Sequence, residues 1–368
     1  MSKKLRHVLG ISGGKDSAAL AIYLFQKYPQ LDIEYYTCDT GKELDETYRL
    51  IDNLENYLGK KILRIIGAPD SHEDPFDHFL KLYGGFLPSS NARWCTKQLK
   101  LVPFEKYVGD DPVVSYVGIR GDEEREGYIS RKTNIQSIFP FRKNIWSEDV
   151  LNKFLANISM EFTVSLADSV DLGIKKERIV TALSKPIDLS FSQSSKLNRL
   201  LDIGVKEMNY LVFEFLKSTN YPLAEETYFP LLENEDVLIR KDIFDILEKS
   251  NVGVPAYYNK VDFQVGAKKG QYARSRSGCF FCFFQQKIEW VWLLEQHPDK
   301  FQKAITYENE NAGFTWNQNE SLRELMHPER VKRIKEEYMN RKSVENKSPY
   351  LMDILDDAEA EGCAACFI

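Results

Sequence analysis

Cysteine and histidine are scarce in this 368-residue chain, with six of the first and five of the second. Six cysteines are too few for a disulfide scaffold at this length, and their placement points instead to metal binding or redox chemistry. The histidines His7, His72, His78, His297 and His327 are scattered, with neither HExxH nor paired ligand spacing, so each reads as surface or structural rather than metal-binding. Long apolar runs are missing too. None approaches the ~18 residues of a membrane helix, and the start MSKKLRHVLGISGGKDS reaches Lys15 and Asp16 before a signal-peptide core can form. The chain therefore reads as cytoplasmic, with no membrane partner. Positive charge is not in excess: 49 Lys and Arg stand against 55 Asp and Glu, a formal net charge of −6. That balance excludes a chain-wide basic coat and leaves a local basic groove open. No repeat at a solenoid period is present.

What is there is ordinary globular composition, 43% hydrophobic and 28% charged, in a chain long enough for one large unit with an elaboration. His7–Ile11 is a short apolar run ending in a Gly-rich turn, and Ala18–Lys27 carries apolar residues at helical spacing. The unit repeats: a strand over Ile33–Cys38, a turn at Asp39-Thr40-Gly41, a helix over Leu44–Leu58 and a strand over Ile62–Ile66. Val113–Ile119 supplies a fourth strand ending at Arg120-Gly121-Asp122. This alternation predicts an α/β fold with a doubly wound parallel sheet, whose ligands sit at the carboxyl ends of the strands. The expected divisions are 1–150 for this domain, 151–225 for a helical insertion, 226–345 for a segment that completes the site, and 346–368 for an acidic tail. A helix is expected near Asp242–Lys249, an aromatic turn at Pro255–Tyr258, a basic loop from Lys268 to Arg276 and a long helix through Trp290 and Trp292. That basic stretch, with Tyr272 in it, suits either a phosphate-tracking nucleic-acid loop or a plain solvated one.

Ser12-Gly13-Gly14-Lys15-Asp16-Ser17 lies between the first strand and the first helix. Two glycines there let backbone N–H groups approach a polyphosphate, and the helix N-terminus adds partial positive charge. Lys15 adds a full charge, Ser12 and Ser17 hydroxyls. The spacing is not the GxxxxGK[ST] of kinases and GTPases. SGGKDS in this position resembles the pyrophosphate loop of the N-type ATP pyrophosphatases, which split ATP to AMP and pyrophosphate while activating a substrate oxygen. Asp39-Thr40-Gly41 with Glu43 and Thr47, Arg93 and Cys95 with Lys97, Gly118-Ile119-Arg120 with Asp122, Glu123 and Arg125, and the later RSGCFFC resemble the PAPS-reductase-like branch. Sulfonucleotide reductases of that branch typically carry a degenerate loop. The ATP-splitting members, including the DNA phosphorothioation proteins of the Dnd and Ssp systems, are similar to this chain in keeping SGGKDS.

The resemblance implies ATP with Mg²⁺ as cofactors, Lys15, Asp16 and Arg120 as catalytic groups, and Ser12, Gly13, Gly14, Lys15, Asp16, Ser17, Asp39, Arg93 and Arg120 around the nucleotide. It implies sulfur transfer to nucleic acid, with DNA favoured, a sulfur donor such as a cysteine desulfurase, and other subunits of a modification system. Sulfonucleotide reduction and a non-catalytic ATP-binding subunit are the alternatives. Cys279-x-x-Cys282 with Cys95, and Cys363 from the second CxxC pair Cys363–Cys366, would hold an iron–sulfur cluster, which in the family lies beside the nucleotide. Position 94 is Trp, so Cys95 lacks the neighbouring cysteine of the four-Cys version. Zinc at two CxxC pairs is the rival, although 80 intervening residues are far more than the ~15–20 of zinc ribbons. A tail dithiol and simple burial are the others. Cys38, inside a strand, reads as core.

Overall fold

A computed structural model describes residues 3–124, 130, 132–317 and 320–345. Arg125, Cys363 and Cys366, to which expectations were attached, lie outside the described residues.

The sheet is built from β1 (Arg6–Gly10), β2 (Ile33–Asp39), β3 (Ile62–Ile66), β4 (Val113–Tyr116) and β5 (Ile135–Ile138) in the order β3-β2-β1-β4-β5, every pair parallel. Its central strands are covered on both faces; all four residues of β4 are buried. Helices α1 (Lys15–Lys27) and α2 (Asp45–Leu58) follow β1 and β2. In α2 the buried residues Leu50, Ile51, Leu54 and Leu58 form one stripe, acidic Asp45 and Glu46 sit in the first turn, and Gly59 ends the helix at φ 62°. From β3 the chain crosses back over β2 and β1 to reach β4, which makes the β1/β4 boundary the switch point of the sheet.

Between β3 and β4 lie α3 (Pro75–Leu82), the short α4 (Trp94–Thr96), a π-type turn over Lys97–Leu101 and α5 (Val102–Val108). After β5 come α6 (Glu148–Leu155), α7 (Met160–Ser169), α8 (Lys176–Leu183), α9 (Gln193–Ile203) and α10 (Val205–Leu216), then α11 (Arg240–Lys249), packed on α1. Their apolar faces are continuous with the sheet: Phe141, Trp146, Phe154, Leu200, Leu211 and Val212 belong to one buried cluster with Leu9, Ala19 and Tyr116. A second core joins Phe76 and Leu80 of α3 and Trp94 to a later set, the hairpin β6 (Val261–Val265) and β7 (Lys268–Tyr272) with α12 (Lys287–Gln296), α13 (Pro298–Ile305), α14 (Leu322–Leu325) and α15 (Pro328–Glu345).

Three local expectations change. The fourth strand stops at Tyr116 rather than Ile119, because the chain then turns toward α1: a Cβ on Gly118 would stand 2.9 Å from the Asp16 carbonyl oxygen. The short strand β5 went unread, since Gln136 and Ser137 are buried polar residues that break its apolar pattern. The basic stretch is not all loop; Lys268–Tyr272 pairs antiparallel with Val261–Val265 across a turn at Gly266, φ 58°, leaving both lysines exposed and Tyr272 inside.

Candidate active site

The switch point brings together the loop after β1 and the loop after β4. Gly13 takes φ 73°, and a Cβ there would stand 2.2 Å from Thr47 Cγ2, so this position requires glycine. Ser17 ties the turn: its Oγ accepts from the Ser12 N–H at 3.1 Å, lies 3.1 Å from Ser12 Oγ, and donates to the Gly14 carbonyl at 3.3 Å. Gly14 caps α1 without a side-chain bond, leaving backbone donors at the helix N-terminus.

Lys15 and Asp16 are buried, and Asp16 sits between cations. Its Oδ2 is 3.1 Å from Lys15 Nζ and its Oδ1 accepts from Arg120 Nη1 at 2.9 Å. Burial opposes the charge on Asp16, but the two cations outweigh it and hold the carboxyl below its ordinary range. Arg120, only 2% exposed, also donates from Nε to Asp122 at 2.8 Å and pairs with Glu123 at 2.9 Å. Asp122 and Glu123, both half-buried, thus gather around the buried Arg120. Asp39 plays a backbone role: its Oδ1 accepts from Gly41 N–H at 2.9 Å and from Tyr48 OH at 3.0 Å. Arg93 is exposed, bonded to the Ser90 carbonyl, with its guanidinium 5.1 Å from the centre of the Phe284 ring; Arg276 stands 5.7 Å from the same ring.

The cysteine turn docks against the same edge. Cys279 pairs with Glu43 in a β-bridge, and Phe280 N–H donates to the Lys42 carbonyl at 2.9 Å. Cys279 Sγ lies 3.2 Å from Thr40 Oγ1, which donates to Glu43 at 2.6 Å. Aromatic packing explains the CFFC sequence in part: Phe281 stacks on Trp316 at 4.7 Å between ring centres and meets Phe76 at 4.5 Å. Cys95, Cys279 and Cys282 line one largely apolar cavity of about 50 Å³ with Thr40, Lys100 and Ser277. None of the three is in a disulfide among the described residues, and burial pushes the thiols of Cys279 and Cys282 up. Cys38 is buried in β2 as expected, its thiol pushed up to about 12 by burial.

The fold therefore brings Cys95 to the Cys279–Cys282 pair. Yet among the described residues no three His, Cys, Asp or Glu side chains converge as a metal-holding group. The ligand set expected for iron–sulfur or zinc is thus incomplete in them, and Asp16, expected near Mg²⁺, has both oxygens engaged by cations. No described helix is long and apolar enough to cross a membrane.

Two features of the site were unread in the sequence. Tyr257 donates from its OH to the Gly13 carbonyl at 2.9 Å, and Tyr258 OH accepts from Lys15 N–H at 3.4 Å. Ser277 completes the cover; a Cβ on Gly14 would stand 2.6 Å from its Oγ. The signal was the paired tyrosines of the Pro255–Tyr258 turn, but nothing local ties them to a loop 243 positions earlier.

Comparison with known proteins speaks for the N-terminal part of the chain. The model of the phosphoadenosine phosphosulfate reductase domain matches residues 6–145. These residues belong to the PAPS-reductase-like branch of the N-type ATP pyrophosphatases. An uncharacterized Methanocaldococcus jannaschii protein, MJ0066, is 31% identical over 153 residues, covering 38% of this chain and 30% of that protein. The uncharacterized nin region protein ORF290 of Escherichia phage lambda is 30% identical over 145 residues, 32% of this chain and 49% of its own. A tRNA-specific 2-thiouridylase, MnmA of Histophilus somni, is 23% identical over 229 residues, 58% of this chain and 55% of its own. The chain thus spans between 30% and 55% of these relatives' lengths. No solved structure matches. The family is an ATP-using one that serves sulfur chemistry, and this chain carries Ser12–Ser17 at its β1–α1 turn.

Proposed function

We propose that this protein is an ATP pyrophosphatase that adenylates a nucleic-acid oxygen so that sulfur can replace it. The observation that carries the reading is the Ser12–Ser17 loop, whose Lys15–Asp16–Arg120 chain of charges stands at the same sheet edge as the Cys279–Cys282 turn. In this reading Lys15 and the α1 N-terminus hold the pyrophosphate end of ATP. Arg120, oriented by Asp122 and Glu123, stands toward the α-phosphate, where a guanidinium suits phosphate oxygens. Asp16 fixes both cations. Mg²⁺ bound together with the nucleotide would supply further charge neutralisation at the phosphates. A substrate oxygen attacks the α-phosphorus, pyrophosphate leaves, and a sulfur nucleophile then displaces AMP from the activated carbon or phosphorus. Positioning and charge neutralisation supply the catalysis. The three cavity thiols are the groups placed to handle sulfur, and no step is routed through a metal.

A DNA backbone phosphate is the leading acceptor, on the likeness of the motifs to the phosphorothioation proteins, with a sulfur donor such as a cysteine desulfurase and further subunits as partners. The likeness to tRNA-specific 2-thiouridylases over 229 residues favours a second reading, a tRNA base oxygen. The test is pyrophosphate release from ATP·Mg²⁺ with DNA or with tRNA present. Lys15→Ala is expected to abolish release, and Cys279→Ala to preserve it while ending sulfur incorporation. Release at the normal rate by Lys15→Ala would sink the loop assignment. Sulfite release from a sulfonucleotide without ATP cleavage would identify a reductase instead. Iron or zinc lost with Cys279→Ala would reassign the thiols to a metal.

A further inference from the structure

The phosphate loop is covered. Gly13, Gly14, Lys15, Asp16 and Ser17 are all buried, and the cover is the Pro255–Tyr258 turn. A helix N-terminus that binds phosphate does so through backbone N–H groups. Here the Lys15 N–H is already given to the Tyr258 phenol, at a long 3.4 Å, and the Lys15 ammonium stands 5.2 Å from the centre of the Tyr258 ring. The phenol oxygen thus occupies the donor that a phosphate oxygen would use, through a bond weak enough to exchange.

The same turn is joined to an unusual cation. Arg274 N–H donates to the Tyr257 carbonyl at 2.9 Å, and the Arg274 guanidinium lies 5.8 Å from the centre of the Tyr257 ring. Arg274 is 2% exposed. Its Nη2 donates to the Cys279 carbonyl at 3.1 Å, while Nε and Nη1 are buried without a hydrogen-bond partner, and it forms no ion pair among the described residues. A buried guanidinium with two idle donors and no counter-charge is costly, and arrangements of this kind persist where an anion is to be met.

We propose that Tyr258 and Arg274 are further residues of the phosphate site: Tyr258 as the placeholder that a polyphosphate displaces from Lys15, and Arg274 as a cation that the displaced turn releases to the phosphate oxygens. The turn is joined at its start to Gly253, φ 85°, with open space around it, which gives the backbone a place to swing. The ligand class is a polyphosphate, inorganic pyrophosphate or the triphosphate of a nucleotide. This inference rests on the loop being the phosphate site, and the experiment separates the two.

The experiment is calorimetric binding of inorganic pyrophosphate and of ATP, each with Mg²⁺, to the full chain and to Tyr258→Phe, Arg274→Gln, Arg274→Lys and Lys15→Ala. Tyr258→Phe removes the competing hydroxyl and keeps the ring, so it is expected to bind about twofold tighter, with roughly fivefold, the worth of one ordinary hydrogen bond, as the ceiling for so long a bond. Arg274→Gln is expected to bind about tenfold or more weaker, the worth of a charge-assisted bond, with Arg274→Lys between it and the parent. These opposite signs are the signature. Weaker or unchanged binding by Tyr258→Phe overturns the placeholder, and unchanged binding by Arg274→Gln overturns the reserve cation. Should Arg274→Gln melt well below the parent, Arg274→Lys decides. Binding that survives Lys15→Ala undamaged condemns the loop assignment itself, whatever the other variants do. No binding by any protein, Tyr258→Phe included, overturns both.

Discussion

Single residues carry the sharpest consequences at the phosphate loop. Gly13→Ala must hold a side chain at φ 73° and push Thr47 Cγ2 from 2.2 Å. The left-handed backbone alone costs about 1–2 kcal/mol, so ATP affinity is expected to fall by roughly tenfold or more. Thr47→Ser, which removes that methyl, should recover part of the loss in the double variant, and titration of ATP binding checks both. His7 gives a pH signature. It lies beside Tyr116, Nδ1 2.9 Å from the phenol oxygen, and burial lowers its pKa from 6.5 to about 4. Because the folded value is depressed, stability is fully present above about pH 6.5 and is lost as pH falls toward 4. The loss is of order 2 kcal/mol. Urea titrations at pH 7 and pH 4.5 should show it, and His7→Gln should flatten the difference. The residues of SGGKDS were legible because position, glycines and charge coincide within six positions. The phenols of Tyr257 and Tyr258 were not, because only tertiary packing brings them to Gly13 and Lys15.

At the scale of elements, α12 and the segment before the cysteine turn share one carboxylate. Glu289 accepts from Ser275 N–H at 2.7 Å and Ser275 Oγ at 2.8 Å, and closes a capping box by accepting from Gln286 N–H at 2.9 Å. Three donors on a buried acceptor make its removal expensive, and Glu289→Ala is expected to destabilise by about 3 kcal/mol in urea unfolding. It should also loosen Ser275–Cys279, seen as faster alkylation of Cys279 and Cys282 in the folded protein. Strands β1, β2 and β3 and helices α1, α2 and α11 were readable to within a few residues, since their apolar spacing is clean and glycine or polar turns bound them. Strand β5 was not, because Gln136 and Ser137 face inward. Hairpin β6–β7 was hidden by Lys268 and Lys269, which look like loop charge but stand exposed on the two faces of a strand.

For the whole molecule, the helices between residues 151 and 225 are part of the main core. Trp146 is 1% exposed, and its Nε1 donates to Asn209 Oδ1 on α10 at 3.1 Å. Phe154 of α6 meets Phe215 of α10 at 5.4 Å between ring centres. Excising residues 151–225 should therefore expose Trp146 and Phe141 and give an aggregating chain rather than a smaller folded one, which soluble yield and light scattering would report. The sequence marks that region as helical but says nothing of how deeply it is packed, because an amphipathic helix shows which face is apolar and not what covers it.

The roof over the phosphate loop also sets a clock. Gly13 and Lys15 meet Tyr257 and Tyr258 across 244 and 243 positions of chain. At a synthesis rate of roughly 5–20 residues per second, the first strand and helix leave the ribosome about 12–50 s before the residues that close over them. Throughout that interval the Ser12–Ser17 turn has no roof, so the site takes its final shape only after about two thirds of the chain has been made.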